Sequence, residues 1–161
     1  MSTIDAALPS APRLDGAAPH LLLVRAPYYA AIVDGLRDGA GRILKDAGAT
    51  WDCLDVAGAL ELAGAVRLAV RGRRRFDGYV LLGCVVKGET DHYEFVCREA
   101  MAGMTAVVLQ FALCLGNGLL TVHTIAEAEA RAGRDGPNKG AEAAAAALRQ
   151  IAAARWLGAE R

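Results

Sequence analysis

Asp77-Gly78-Tyr79-Val80-Leu81-Leu82-Gly83-Cys84-Val85-Val86-Lys87-Gly88-Glu89-Thr90-Asp91-His92 is the stretch whose reading decides the fold. From Tyr79 to Val86 it is apolar except at Gly83, and it is bounded by Gly78 and Lys87-Gly88. A short unbroken apolar run of this kind suits a strand buried on both faces. A glycine-bearing turn follows. A helical period then takes over across residues 92–113, where Val96, Ala100, Met104, Val107 and Phe111 share one side.

The same strand-then-helix unit recurs on either side. His20-Leu21-Leu22-Leu23-Val24 is a second unbroken run, followed by Ile32, Leu36, Ala40, Ile43 and Ala47 at helical spacing. Asp34, Arg37, Asp38, Arg42 and Lys45 fill that helix's other face, and Gly48 suits its end. Residues 50–56 and 59–70 form another pair, and residues 118–122 and 125–132 a fourth. A loop over 133–138 leads to a last alanine-rich helix over 141–157. Four alternations imply a four-stranded parallel sheet, because parallel strands need crossover connections. The expected class is therefore α/β, a three-layer, flavodoxin-like sandwich with helices on both faces.

The chain has 161 residues, 54% of them hydrophobic and 22% charged, which fits one domain with a substantial core. That domain is expected over residues 20–158. Residues 1–19 hold Pro9, Pro12 and Pro19 and read as a flexible arm. Lys plus Arg equals Asp plus Glu at 18 each, which argues against a general nucleic-acid binder. No apolar stretch approaches the ~20 residues that span a bilayer, so no membrane partner is expected. No secretory pattern opens the chain, and cytoplasm is the expected location. Cys53, Cys84, Cys97 and Cys114 contain no CxxC pair and read as reduced core thiols. No metal cluster is suggested.

In open α/β sheets ligands bind outside the carboxyl ends of the strands. That rule selects residues 25–29, 57–61 and 85–92, and the end of the fourth strand. At 87–92 a helix N-terminus offers free N–H groups and partial positive charge, Gly88 permits close approach, and Thr90 adds a hydroxyl. Asp91 with Glu94 also fits a capping box, and the residues alone leave cap and anion cradle both open. His92 is the best-placed general acid–base among three histidines, since His20 begins a strand and His123 follows one. Ala57-Gly58-Ala59-Leu60-Glu61 leaves room for a planar ligand, although Glu61 alone reads as a helix-dipole residue. Tyr28 could stack on a heteroaromatic ring or simply pack. Arg131 and Lys139 suit an anion but read equally as surface charges.

Taken together, these segments resemble the lumazine synthase family of riboflavin biosynthesis. Gly58-Ala59-Leu60-Glu61 is similar to the family's Gly-Ala-x-Glu motif. Leu82 to His92 resembles its Leu-Gly-x-Val-Ile-Arg/Lys-Gly-x-Thr-x-His motif. Gly118-Leu119-Leu120-Thr121, Arg131-Ala132-Gly133 and Asn138-Lys139-Gly140 resemble the two C-terminal motifs. The likeness covers about residues 20–152, and its eleven-residue segment is the specific part.

The resemblance implies condensation of 5-amino-6-(D-ribitylamino)uracil with 3,4-dihydroxy-2-butanone 4-phosphate, releasing phosphate and water. It implies no cofactor. It places Tyr28 against the pyrimidinedione, and Ala59, Leu60, Glu61, Cys84, Val85 and Val86 at the ring edge and ribityl chain. Glu89 and Thr90 fall at the phosphate, with Arg131 and nearby Lys139. His92 falls at the proton-transfer position. Assembly as a homopentamer with sites between subunits is implied, Asn117 reaching in from the neighbour. Three departures stand out: Pro27-Tyr28-Tyr29 in place of Arg-Phe-Asn, Val56-Ala57-Gly58-Ala59 in place of Val-Pro-Gly-Ala, and Asn117 in place of a common Phe. The last keeps open a non-catalytic lumazine- or flavin-binding relative. A receiver-type signalling domain would need an acidic cluster at the strand ends, which the sequence lacks.

Overall fold

The computed structural model describes residues 9–134 and 136–159. Four strands form one parallel sheet in the order β2-β1-β3-β4. They are β1 (His20–Ala26), β2 (Thr50–Asp55), β3 (Gly78–Val86) and β4 (Leu115–Val122). The crossovers are α1 (Ala30–Asp46), α2 (Glu61–Arg71) and α3 (His92–Phe111), and α4 (Ile125–Ala132) and α5 (Lys139–Leu157) follow β4. The expected three-layer α/β architecture is therefore present. No helix among the described residues is long and apolar enough to cross a membrane.

Alternation along the two central strands feeds two cores. Leu21, Leu23, Val80 and Leu82 face α1, α4 and α5, while Leu22, Val24, Tyr79 and Leu81 face α2 and α3. Each fully buried Leu or Val contributes about 1.5–3 kcal/mol of transfer free energy. Alternation of this kind explains why β1 and β3 read as unbroken apolar runs. The edge strand β2 is different: Cys53 is exposed, so the expectation of four core thiols fails there. Cys84 is buried, and Cys97 and Cys114 lie between those extremes. Burial pushes the Cys84 thiol up to about 11.

Several boundaries move by a few residues: α2 runs Glu61–Arg71 rather than 59–70 and α3 ends at Phe111 rather than 113, and two further shifts have clear physical reasons. β4 begins at Leu115 rather than 118, which puts Asn117 inside the strand. Gly116 and Gly118 break its apolar pattern because α5 presses on them. A Cβ at Gly116 would lie 1.8 Å from the Ala143 carbonyl oxygen. α5 begins at Lys139 rather than 141, because buried Asn138 caps it. Asn138 Oδ1 accepts from the Ala141 N–H at 3.0 Å, and Nδ2 donates to the carbonyls of Gly35, Ala132 and Gly133. One side chain thus ties α1, α4 and α5 together. A Cβ at Gly140 would meet the Leu36 carbonyl oxygen at 1.9 Å, so α5 lies on α1 with backbones almost touching.

Residues 9–19 carry no helix or strand, and the first eight residues of the expected arm lie outside the described residues. Ala11 and Leu14 pack against the α1/α5 core. Arg155, near the end of α5, donates to the carbonyls of Asp15 and Ala17.

Candidate active site

Strand order reverses between β1 and β3. The chain leaves β1 toward β2 on one side and continues through β3 to β4 on the other. The carboxyl ends of β1 and β3 therefore flank the crevice where this class of sheet binds ligands. Backbone bonds tie the strand ends together: the Val56 N–H donates to the Arg25 carbonyl at 2.8 Å, and the Lys87 N–H to the Val122 carbonyl at 2.9 Å. The Arg25 guanidinium grips the Asp55 carboxylate through Nε at 2.7 Å and Nη2 at 2.8 Å, fixing β1 against β2. Arg25 itself is held further into its charged range, first by that hydrogen bond to Asp55.

Each crevice residue follows from its strand. After β1, Pro27–Tyr29 forms one 3-10 turn, with Pro27 supplying the fixed φ that starts it. Tyr28 stands out 79% exposed, edge-on to Tyr29 at 5.1 Å between ring centroids. After β2, residues 56–60 form an irregular turn, and the Glu61 N–H donates to the Gly58 carbonyl at 3.2 Å. The Glu61 carboxylate folds over Gly58, 3.1 Å from where a Cβ would stand. Ala59 packs on the α2/α3 core, whereas Leu60 is exposed.

After β3 the backbone passes from buried Cys84, through half-buried Val85 and Val86, to a fully exposed loop over 87–91. Nothing approaches the open side of Gly88. His92 is the first residue of α3 and is exposed. The capping box that Asp91 and Glu94 left open as a reading does not form. Asp91 is itself helical (φ −66°, ψ −5°) and makes no side-chain cap, while its carbonyl accepts from the Glu94 N–H at 3.0 Å. The first-turn N–H groups thus lack a side-chain acceptor from Asp91, which is the condition an anion-binding helix end requires.

Tyr28, residues 59–61, residues 84–90 and His92 thus gather at one end of the sheet. Asn117 lies apart from them within one chain, and Arg131 and Lys139 are engaged by partners on their own helices. Asn117 stands opposite Leu81, and Thr121 opposite Val85, so Asn117 is about 13 Å back along the edge strand. Its Nδ2 contacts the Met101 sulfur at 3.1 Å, and its Oδ1 accepts from the Leu119 N–H at 2.9 Å. Arg131 closes α4 and donates to the Glu127 carbonyl at 2.8 Å. Lys139 opens α5 and pairs with Glu142.

One cluster escaped the sequence reading. The Tyr93 ring lies edge-on to His123 at 6.1 Å between ring centroids. Burial, then Cys97, pushes the Tyr93 hydroxyl up. The His123 N–H donates to the Glu127 carboxylate at 2.8 Å, which helps hold that carboxyl below its usual range. Only the fold could reveal this cluster, because Tyr93 and His123 meet across the α3 crossover.

The model of the 6,7-dimethyl-8-ribityllumazine synthase family matches residues 18–155. This chain belongs to that family. Among its relatives is the 6,7-dimethyl-8-ribityllumazine synthase of Bartonella henselae, 43% identical over 86% of this chain and 90% of that protein. The Bartonella tribocorum protein of the same name is 41% identical over 87% and 93%. The Rhizobium meliloti 6,7-dimethyl-8-ribityllumazine synthase 1 is 41% identical over 88% and 95%. As a lumazine synthase the chain is an enzyme, a transferase of riboflavin biosynthesis. It condenses 5-amino-6-(D-ribitylamino)uracil with 3,4-dihydroxy-2-butanone 4-phosphate to 6,7-dimethyl-8-ribityllumazine. The non-catalytic alternative finds no support in these comparisons.

Proposed function

We propose that this lumazine synthase carries out its condensation in the crevice at the carboxyl ends of β1, β2 and β3, with His92 moving the protons. The observation that carries this reading is the position of His92. It stands exposed at the first position of α3, beside a loop whose helix end has no carboxylate cap. Imine formation, phosphate loss and ring closure each move a proton, and an imidazole is available in both forms near neutrality. The phosphate goes to the α3 N-terminus with Glu89 and Thr90, where backbone dipoles favour an anion. Tyr28 offers its ring to the pyrimidinedione. Ala59, Leu60 and Glu61 hold the ring edge, and Cys84, Val85 and Val86 the ribityl chain. Holding the two substrates together supplies most of the rate.

The assembly is a homopentamer with each site between two subunits. Two observations support it. Tyr28 and Leu60 stand exposed, and the α2/α3 surface carries Leu68 74%, Phe95 56% and Leu109 77% exposed. In that arrangement a neighbour brings Asn117, Arg131 and Lys139 to the crevice, which accounts for the distance of Asn117 from it within one chain. The working compartment is the cytoplasm, in keeping with four cysteines that form no disulfide among the described residues.

The test is His92→Ala, assayed by fluorescence of the lumazine product. The rate should fall about 10²-fold, within the range for losing a general acid–base, while sedimentation shows the assembly unchanged. An undiminished rate from an intact assembly would remove His92 from the mechanism.

A further inference from the structure

His92 has to be held in place, yet the segment that carries it is weakly anchored. Residues 87–92 are all exposed, and Asp91 gives no side-chain cap. The first buried residue of α3 is Val96, one turn further on. Helix ends of this kind fray unless something beyond the helix holds them. Tyr93 is the first residue of α3 that is half-buried. Its ring meets His123 just beyond β4, edge-on at 6.1 Å between ring centroids. His123 is fixed in turn, since its N–H donates to the Glu127 carboxylate and it lies in the turn that Thr124 caps for α4.

We infer that Tyr93, braced on His123 just beyond β4, is a positioning residue that holds the first turn of α3 and thereby sets where His92 points. This deepens the proposed function and rests on His92 as the proton shuttle. Tyr93 and His92 are adjacent in a helix, about 100° apart around its axis. One can therefore grip the sheet while the other faces the crevice. A displacement of about 1 Å at a reacting group can cost up to ~10²-fold in rate, so even slight fraying would be visible. The same first turn also receives the phosphate in the reading above, so loosening it acts on kcat through His92 and on KM through the phosphate site.

A double-mutant cycle on the full assembled enzyme tests this, reading kcat and KM for the phosphate-bearing substrate. Tyr93→Ala should lower kcat about tenfold and raise KM for the phosphate-bearing substrate as well. Tyr93→Phe keeps the ring against His123 and should recover at least about half of kcat. His123→Ala removes the ring's exposed partner and should lower kcat about threefold. It also carries the test if Tyr93→Ala does not fold. On a His92→Ala background the same changes should have no further effect, within about twofold. If Tyr93→Ala and His123→Ala leave kcat untouched in the parent enzyme, the brace is refuted. Equal losses with and without His92 would also refute it, since Tyr93 would then act independently. A His92→Ala enzyme of undiminished rate instead overturns the shuttle and this inference with it, so the two failures are distinguishable.

Discussion

On the side of the sheet that carries α1 and α5, backbones come close to touching. On the side that carries α2 and α3, large apolar side chains stand in solvent. The α1/α5 side is built from small residues. Gly116 and Gly140 admit main-chain carbonyls of Ala143 and Leu36, and α5 buries six alanines or glycines within its first nine residues. Helices that lie this close exclude water completely and gain dispersion contacts along their length. The α2/α3 side buries Leu62, Val66 and Met104 inward, yet leaves Leu68, Phe95 and Leu109 exposed. The difference teaches that one face is finished by the chain itself. The other is finished by whatever covers it, which we take to be the next subunit.

The largest expected effect lies on the finished face. Gly140→Val places branched carbons where the Leu36 carbonyl stands and forces α5 away from α1. It should cost about 4 kcal/mol or more, seen as loss of soluble protein or collapse of the cooperative unfolding transition. Normal stability in urea would show that α5 can shift without penalty. Asn138→Ala comes next. It removes the α5 cap and leaves the carbonyls of Gly35, Ala132 and Gly133 without this donor. A cost of about 2–4 kcal/mol in the urea midpoint is expected. The smallest effect on the folded chain comes from the other face. Leu109→Asp should change the stability of one subunit by less than about 0.5 kcal/mol while dissociating the assembly in analytical ultracentrifugation. An assembly that survives this change would place the covered surface elsewhere.

How much of this was legible in the sequence depended on whether local chemistry or a distant neighbour set each feature. β1 and β3 declared themselves because strands buried on both faces need apolar residues at every position. The start of β4 was hidden because Gly116, Asn117 and Gly118 answer to α5 and to the strand edge, not to strand propensity. Cys53 was misjudged because nothing in Trp51-Asp52-Cys53-Leu54 reveals an edge position until the strand order is known. The candidate site was legible where motifs sit at strand ends, as with residues 58–61 and 82–92. The grip of Arg25 on Asp55 and the meeting of Tyr93 with His123 were not. Each joins residues whose proximity is created only by strand pairing or by a crossover.

The Arg155 side chain ties the last turns of α5 to a point 138 residues earlier, at Ala17. That single guanidinium spans both margins of the domain, so neither opens alone. Release of the strand-free segment at 15–17 removes the acceptors that steady the last turns of α5, and unwinding of those turns withdraws the donor. The two regions form one cooperative unit for local opening, and their amides should exchange with solvent hydrogen in step despite their distance along the chain.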